Sequence, residues 1–178
     1  MISGRKMKKI FLVTRGITFR EENNLFSREN SQLSNQGILQ IEKIGELLNI
    51  VDYENIFCSR DLASMDSGEI IRIKNIFGKK ITFDNNLKER IVNHILNEEN
   101  VYKKYIKSNF LNFNVGESGI LIYNRLKVFV NNIIKTKGDN IVVSNPENIT
   151  MIIKILGDDM EMRSHGKMIM YELNQISL

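Results

Sequence analysis

The side chains able to do polar chemistry gather in a few short stretches of this 178-residue chain. Thr14-Arg15-Gly16 follows an apolar run, Ser59 follows a second, and Ser144-Asn145-Pro146 follows a third. Arg15 carries five N–H donors and a permanent charge, so it can grip an anion, but a guanidinium with a pKa above ~12 is no nucleophile. Asn145-Pro146 reads as a helix N-cap followed by proline at the first helical position, which leaves backbone N–H groups free for an anion. Two readings of Arg15 stand side by side. It clamps an external anion together with Ser59, Ser144 and Asn145, or it pairs with Glu89 or Glu117 and fills the site itself. Asn145, likewise, either faces a ligand or merely caps its helix.

The remaining reactive side chains are few. There are two histidines and one cysteine, too few for a Cys/His zinc site, and no metal or cofactor is expected. His94, in the Leu87–Leu96 stretch, reads as a surface or lid histidine. Ser164-His165-Gly166 precedes the last strand instead of following one, which places it in a turn at the opposite end of the sheet. Cys58 ends a strand and reads as buried and inert. Ser64 stands six residues on, where a cysteine phosphatase loop needs arginine.

These stretches need elements to position them. Lys9–Thr14 is an almost unbroken apolar run, the pattern of a strand buried on both faces. Residues 17–32 are polar without period and read as a loop. Leu33, Ile38, Ile41, Ile44, Leu47 and Leu48 recur at helical spacing, predicting a helix over 34–49 with Ser34 as N-cap. Strands follow at 55–59 and 80–83, around a helix at 61–77 that Gly78 closes. The 87–113 segment is mixed, with Tyr102, Tyr105, Phe110 and Phe113 suiting a lid or excursion over 97–115. A helix at 118–137, a strand at 141–144, a helix at 146–156 and a final strand at 168–173 complete the chain. Strands alternating with helices predict one three-layer α/β/α domain over 1–178, with a mostly parallel central sheet. In such sheets ligands bind beyond the carboxyl ends of the strands, where Arg15, Ser59 and Ser144-Asn145 fall.

In order, the chain reads F-L-V-T-R-G-I-T at 11–18, L-S-x-x-G-x-x-Q at 33–40 and C-S-R-D-L-A-S-M-D-S-G-E-I-I at 58–71. Then come L-K-E at 87–89, G-E-S at 116–118 and I-V-V-S-N-P at 141–146. This series resembles the histidine phosphatase superfamily, the phosphoglycerate mutase-like proteins, over nearly the whole chain. The resemblance implies a site built on a nucleophilic histidine that takes up a phosphoryl group. A second histidine and two arginines hold that group, and a carboxyl group moves the proton. Here the nucleophile position is Arg15, the two arginine positions are Thr14 and Ala63, and the second histidine position is Asn145. Gly16, Thr18, Ser59, Glu89, Glu117 and Ser118 match the pattern. The resemblance therefore implies a degenerate member, since groups that act as a unit in catalysis are not partly dispensable.

The expected function is a phosphoglycerate mutase-like protein without phosphohistidine chemistry, retaining a phosphorylated small molecule or a protein partner as ligand. The alternative is a phosphatase of non-standard chemistry, with Glu89 as acid or base and water or Ser59 attacking. A scaffolding role would show as an apolar patch on 97–115. Composition narrows the partners. The net charge is +4, but the basic residues come in short pairs interleaved with acids, so no nucleic-acid stripe forms. No apolar run approaches the ~20 residues of a membrane span, and Ile10–Val13 is too short for a signal-peptide core. The lone cysteine fits a reducing cytosol, and a cytoplasmic location is expected.

Overall fold

In a computed structural model of the protein, residues 7–92, 97–113 and 115–173 are described. The strands are β1 (Lys8–Thr14), β2 (Tyr53–Cys58), β3 (Ile81–Phe83), β4 (Asp139–Ser144) and β5 (Met168–Leu173). The helices are α1 (Phe19–Glu22), α2 (Asn35–Leu47), α3 (Leu62–Lys74), α4 (Glu98–Tyr105), α5 (Gly119–Lys135) and α6 (Pro146–Ile155). Short 3₁₀ turns lie at Asn85–Leu87 and Phe110–Asn112. The five strands form one sheet in the order β3-β2-β4-β1-β5, parallel except for β5, which runs antiparallel to β1.

Alternation along β1 and β4 explains the three layers. Ile10, Leu12 and Val142 face a core built with Ile122, Leu126 and Phe129 of α5 and Ile149 and Ile152 of α6. Phe11, Val13, Ile141 and Val143 face the opposite core, with Ile41 and Ile44 of α2 and Ile71 of α3. Successive strand residues point to opposite faces, so a strand covered on both sides must be apolar at every position. That is why the run ending at Thr14 was readable as central.

Three local expectations shift. Residues 17–32 contain the one-turn helix α1, with Thr18 as N-cap and Glu21 completing a capping box. The helix at 61–77 stops at Lys74, because Asn75 turns its amide onto Leu48 O and Val51 O at 2.6 and 3.0 Å. The 97–115 excursion holds α4, and its aromatic residues face inward. Tyr102, Tyr105 and Phe113 pack around Phe26 with ring centroids 5.1 to 6.3 Å away.

The largest correction concerns the last strand. Met168 pairs with Val13, so the residues before β5 lie at the carboxyl end of β1, and Ser164-His165-Gly166 is at the site edge. The cause is the 157–167 connection, which doubles back along α6 and exchanges hydrogen bonds between Thr150 and Met162. No helix among the described residues is long and apolar enough to cross a membrane.

Candidate functional site

The site grows from the loop after β1. Gly16 presses against the first turn of α2, where a Cβ would meet Gly37 O at 2.4 Å. From the next turn of α2, Gln40 accepts a hydrogen bond from Ile17 N at 3.1 Å. Ser34 caps α2 by accepting from Gly37 N. The L-S-x-x-G-x-x-Q pattern is thus a device for seating this loop: a cap, a residue without a side chain and a hydrogen-bond acceptor.

The loop delivers Arg15 into the interior with 0% exposure. Its guanidinium is saturated. Nη1 and Nη2 fork onto Glu21 at 2.8 and 3.0 Å, and Nη1 also donates to Gly16 O at 2.9 Å. Nε donates to Glu89 Oε1 at 2.6 Å, and Nη2 lies 2.5 Å from the same oxygen. Asp61 Oδ1 stands at 3.9 Å from Nε. A guanidinium has five N–H groups, and every nitrogen here is engaged by the protein.

Glu21 is positioned by α1 itself. Its carboxylate reaches back to Thr18 N and Thr18 Oγ1 at 3.0 and 2.9 Å, the reciprocal contact of a capping box. His165 Nε2 lies 3.1 Å from its other oxygen. Burial opposes the charge on both Glu21 and Arg15, and their mutual attraction outweighs it: Arg15 is pushed up and Glu21 well down. Glu89 behaves differently. Burial, with Asp61 and Glu21 nearby, pushes it up to about 8 against the pull of Arg15. One cation cannot hold both Glu21 and Glu89 as anions in a buried site, and it is Glu89 that favours its proton.

The other predicted residues take varied places. Thr14 faces the 164–167 turn, donating to Ser164 O and accepting from Lys167 N. Ser144 donates to Leu87 O and accepts from Asn148, inside the core. Asn145 caps α6 by accepting from Asn148 N at 2.8 Å, and it borders the Arg15 cavity. Ser59 is buried beside Asp61, whose N–H it accepts at 3.3 Å. Glu117 is held by Arg125 at 3.0 and 3.1 Å, so Glu89 and Glu21, not Glu117, are the partners of Arg15. Ser118 caps α5. Ala63 is fully buried. Burial pushes the Cys58 thiol up, and His94 lies outside the described residues.

The sequence reading missed two members of the cluster, Glu21 and His165. Thr18-x-x-Glu21 was a legible capping-box signal. For His165 the signal was the length of the 157–167 connection, longer than a direct helix-to-strand turn requires.

The cavity over Arg15 has a volume of about 40 Å³ and is bordered by Glu21, Glu89, Tyr102, Asn145 and His165. That holds a few waters. Among the described residues no group of His, Cys, Asp or Glu is arranged to hold a metal ion.

The sheet order and the residues at its carboxyl edge define a phosphoglycerate mutase-like fold, and the comparisons with known proteins agree. The sequence pattern of the histidine phosphatase superfamily (branch 1) matches residues 10–176, and the chain belongs to that family. A phosphoglycerate mutase from Bacillus anthracis str. Sterne superimposes with a TM-score of 0.76 at 15% identity, covering 94% of this chain and 89% of that one. The α-ribazole phosphatase from Shigella flexneri gives 0.74 at 16% identity, over 94% and 91%. Bacillus stearothermophilus YhfR gives 0.76 at 15% identity, over 94% and 92%. At these identities the likeness speaks for the fold. No curated protein sequence matches significantly.

Proposed function

We propose that this chain is a histidine phosphatase-like protein that does not run phosphohistidine chemistry and serves as a binding protein. The observation that carries the reading is the saturated Arg15. The side chain standing at the nucleophile position is a buried guanidinium with every nitrogen committed to Glu21, Glu89 and Gly16. A phosphoryl group entering there would find no free donor on the guanidinium, and the Glu21 carboxylate would repel it. Thr14, Ala63 and Asn145 replace the other phosphate-holding side chains that the resemblance implies, so the change is concerted. Incubated with a broad panel of phosphomonoesters, the protein is expected to release no phosphate above background. Robust release that Arg15→Ala abolishes would overturn the reading.

One observation favours a second reading, a phosphatase of non-standard chemistry. Glu89, at about 8, holds its proton at neutral pH, as a general acid must. Its side chain is 14% exposed. That reading requires turnover that falls sharply in Glu89→Gln, and a flat panel excludes it.

A further inference from the structure

Glu89 also borders a second and larger cleft, of about 420 Å³, against about 40 Å³ over Arg15. That volume is within the range of small-molecule sites, roughly 300–1,000 Å³. Buried Ser59 and Asp61 line it together with Glu89, and the exposed residues around it include Arg28, Arg60 and Lys88. Leu62 N donates to Glu29 O at 2.7 Å, which ties the 27–29 wall to the start of α3.

The charges around this cleft are uneven. Arg28 is occupied by Glu98 at 3.3 Å. Arg60 lies over the Phe83 ring, 5.2 Å from its centroid. Neither Arg60 nor Lys88 has a carboxylate partner among the described residues. The one exposed carboxylate of the lining is Glu29. Two exposed cations of one lining, neither with a carboxylate partner among the described residues, suit a dianion.

The inner wall asks for something else. Asp61 Oδ1 caps α3 by accepting from Ser64 N at 2.9 Å, whereas Oδ2 is buried with no hydrogen-bond partner among the described residues. Ser27 Oγ, in the same lining, is also buried and has no hydrogen-bond partner among the described residues. An orphan carboxylate oxygen is costly unless a donor reaches it. Phosphate alone brings no such donor when dianionic, but a hydroxyl on the same molecule does.

We propose that this cleft binds a small phosphorylated polyol, with its phosphoryl group on Arg60 and Lys88 and a hydroxyl donating to Asp61 Oδ2. The inference rests on the reading that Arg15 fills the site after β1, since it moves the phosphoryl group off that position and onto the cleft beside it. Glu89, neutral at pH 7, adds no repulsion there.

Isothermal titration at low ionic strength tests it, with ribose 5-phosphate, inorganic phosphate and ribose as probes and phosphate release followed in parallel. The expected order is ribose 5-phosphate tighter than phosphate, with no binding of ribose. The double variant Arg60→Ala/Lys88→Ala, altered only at exposed positions, weakens ribose 5-phosphate by about tenfold or more, as loss of two charge-assisted contacts requires. Asp61→Asn, which can still cap α3, brings ribose 5-phosphate down to the affinity of inorganic phosphate. Absence of binding without phosphate release, or binding unchanged in the double variant, overturns the cleft assignment. Phosphate release with the affinity pattern intact overturns the filled-site reading alone.

Discussion

Arg15 is a buried cation surrounded by more negative charge than it can balance, and that imbalance has measurable consequences. Removing the guanidinium leaves Glu21 and Asp61 buried without it. Arg15→Ala is therefore expected to cost about 3–5 kcal/mol of stability, the range for breaking one partner out of a buried ion pair. Urea unfolding checks this, and a cost near that of a surface substitution would contradict the buried clamp. The pH dependence follows from Glu89. Its folded value is about 8, whereas an unfolded glutamate titrates near ~4.3. Between those values the unfolded chain gives up the proton while the folded chain keeps it, so this group lowers stability as pH rises through that window and has no further effect above it. Glu21 works in the opposite sense: held low by Arg15 and His165 against burial, it stabilises above the unfolded value and loses that contribution as pH falls. The urea midpoint is thus expected to decline between pH 5 and 8, and the decline should be shallower in Glu89→Gln, since burial also raises Glu147 and Asp66. Identical profiles for the two proteins would contradict the assignment of the proton to Glu89.

At the scale of elements, the site depends on how closely α2 approaches the loop after β1. A Cβ on Gly37 would meet Ile17 O at 2.1 Å. Gly37→Ala must push backbone away from backbone, and overpacking of this kind costs about 1–3 kcal/mol. A thermal midpoint equal to that of the unaltered chain would show that the approach is looser than described. The same scale shows what the sequence could and could not say. β1, α2 and α6 were legible because their signals are local: an unbroken apolar run, a helical period after Ser34, and Asn145-Pro146 at a helix start. The partner of Arg15 was only half legible. Glu89 and Glu117 both followed from position, and packing decided between them, because Arg125 takes Glu117. His165 was misplaced for a topological reason. The direction of β5 is set by a connection held to the middle of α6 through Thr150, and nothing in the strand's own residues records it.

For the whole molecule, the alternation of strands and helices specified the layers, and two apolar faces on β1 and β4 specified which strands are central. What the molecule binds is a question of charge, and the two clefts differ in it. The guanidinium in the small cavity over Arg15 is held by Glu21 and Glu89, while the adjoining cleft carries Arg60 and Lys88 without carboxylate partners among the described residues. On the proposed reading, the family frame is retained around a site whose reactive position the protein itself fills. A crystal structure of the protein grown with tungstate, a phosphate mimic, tests this most directly. The account predicts that Glu21 and Glu89 keep their hold on Arg15, with no tungstate within hydrogen-bond distance of its guanidinium. Tungstate seated on Arg15 with Glu21 displaced would contradict it.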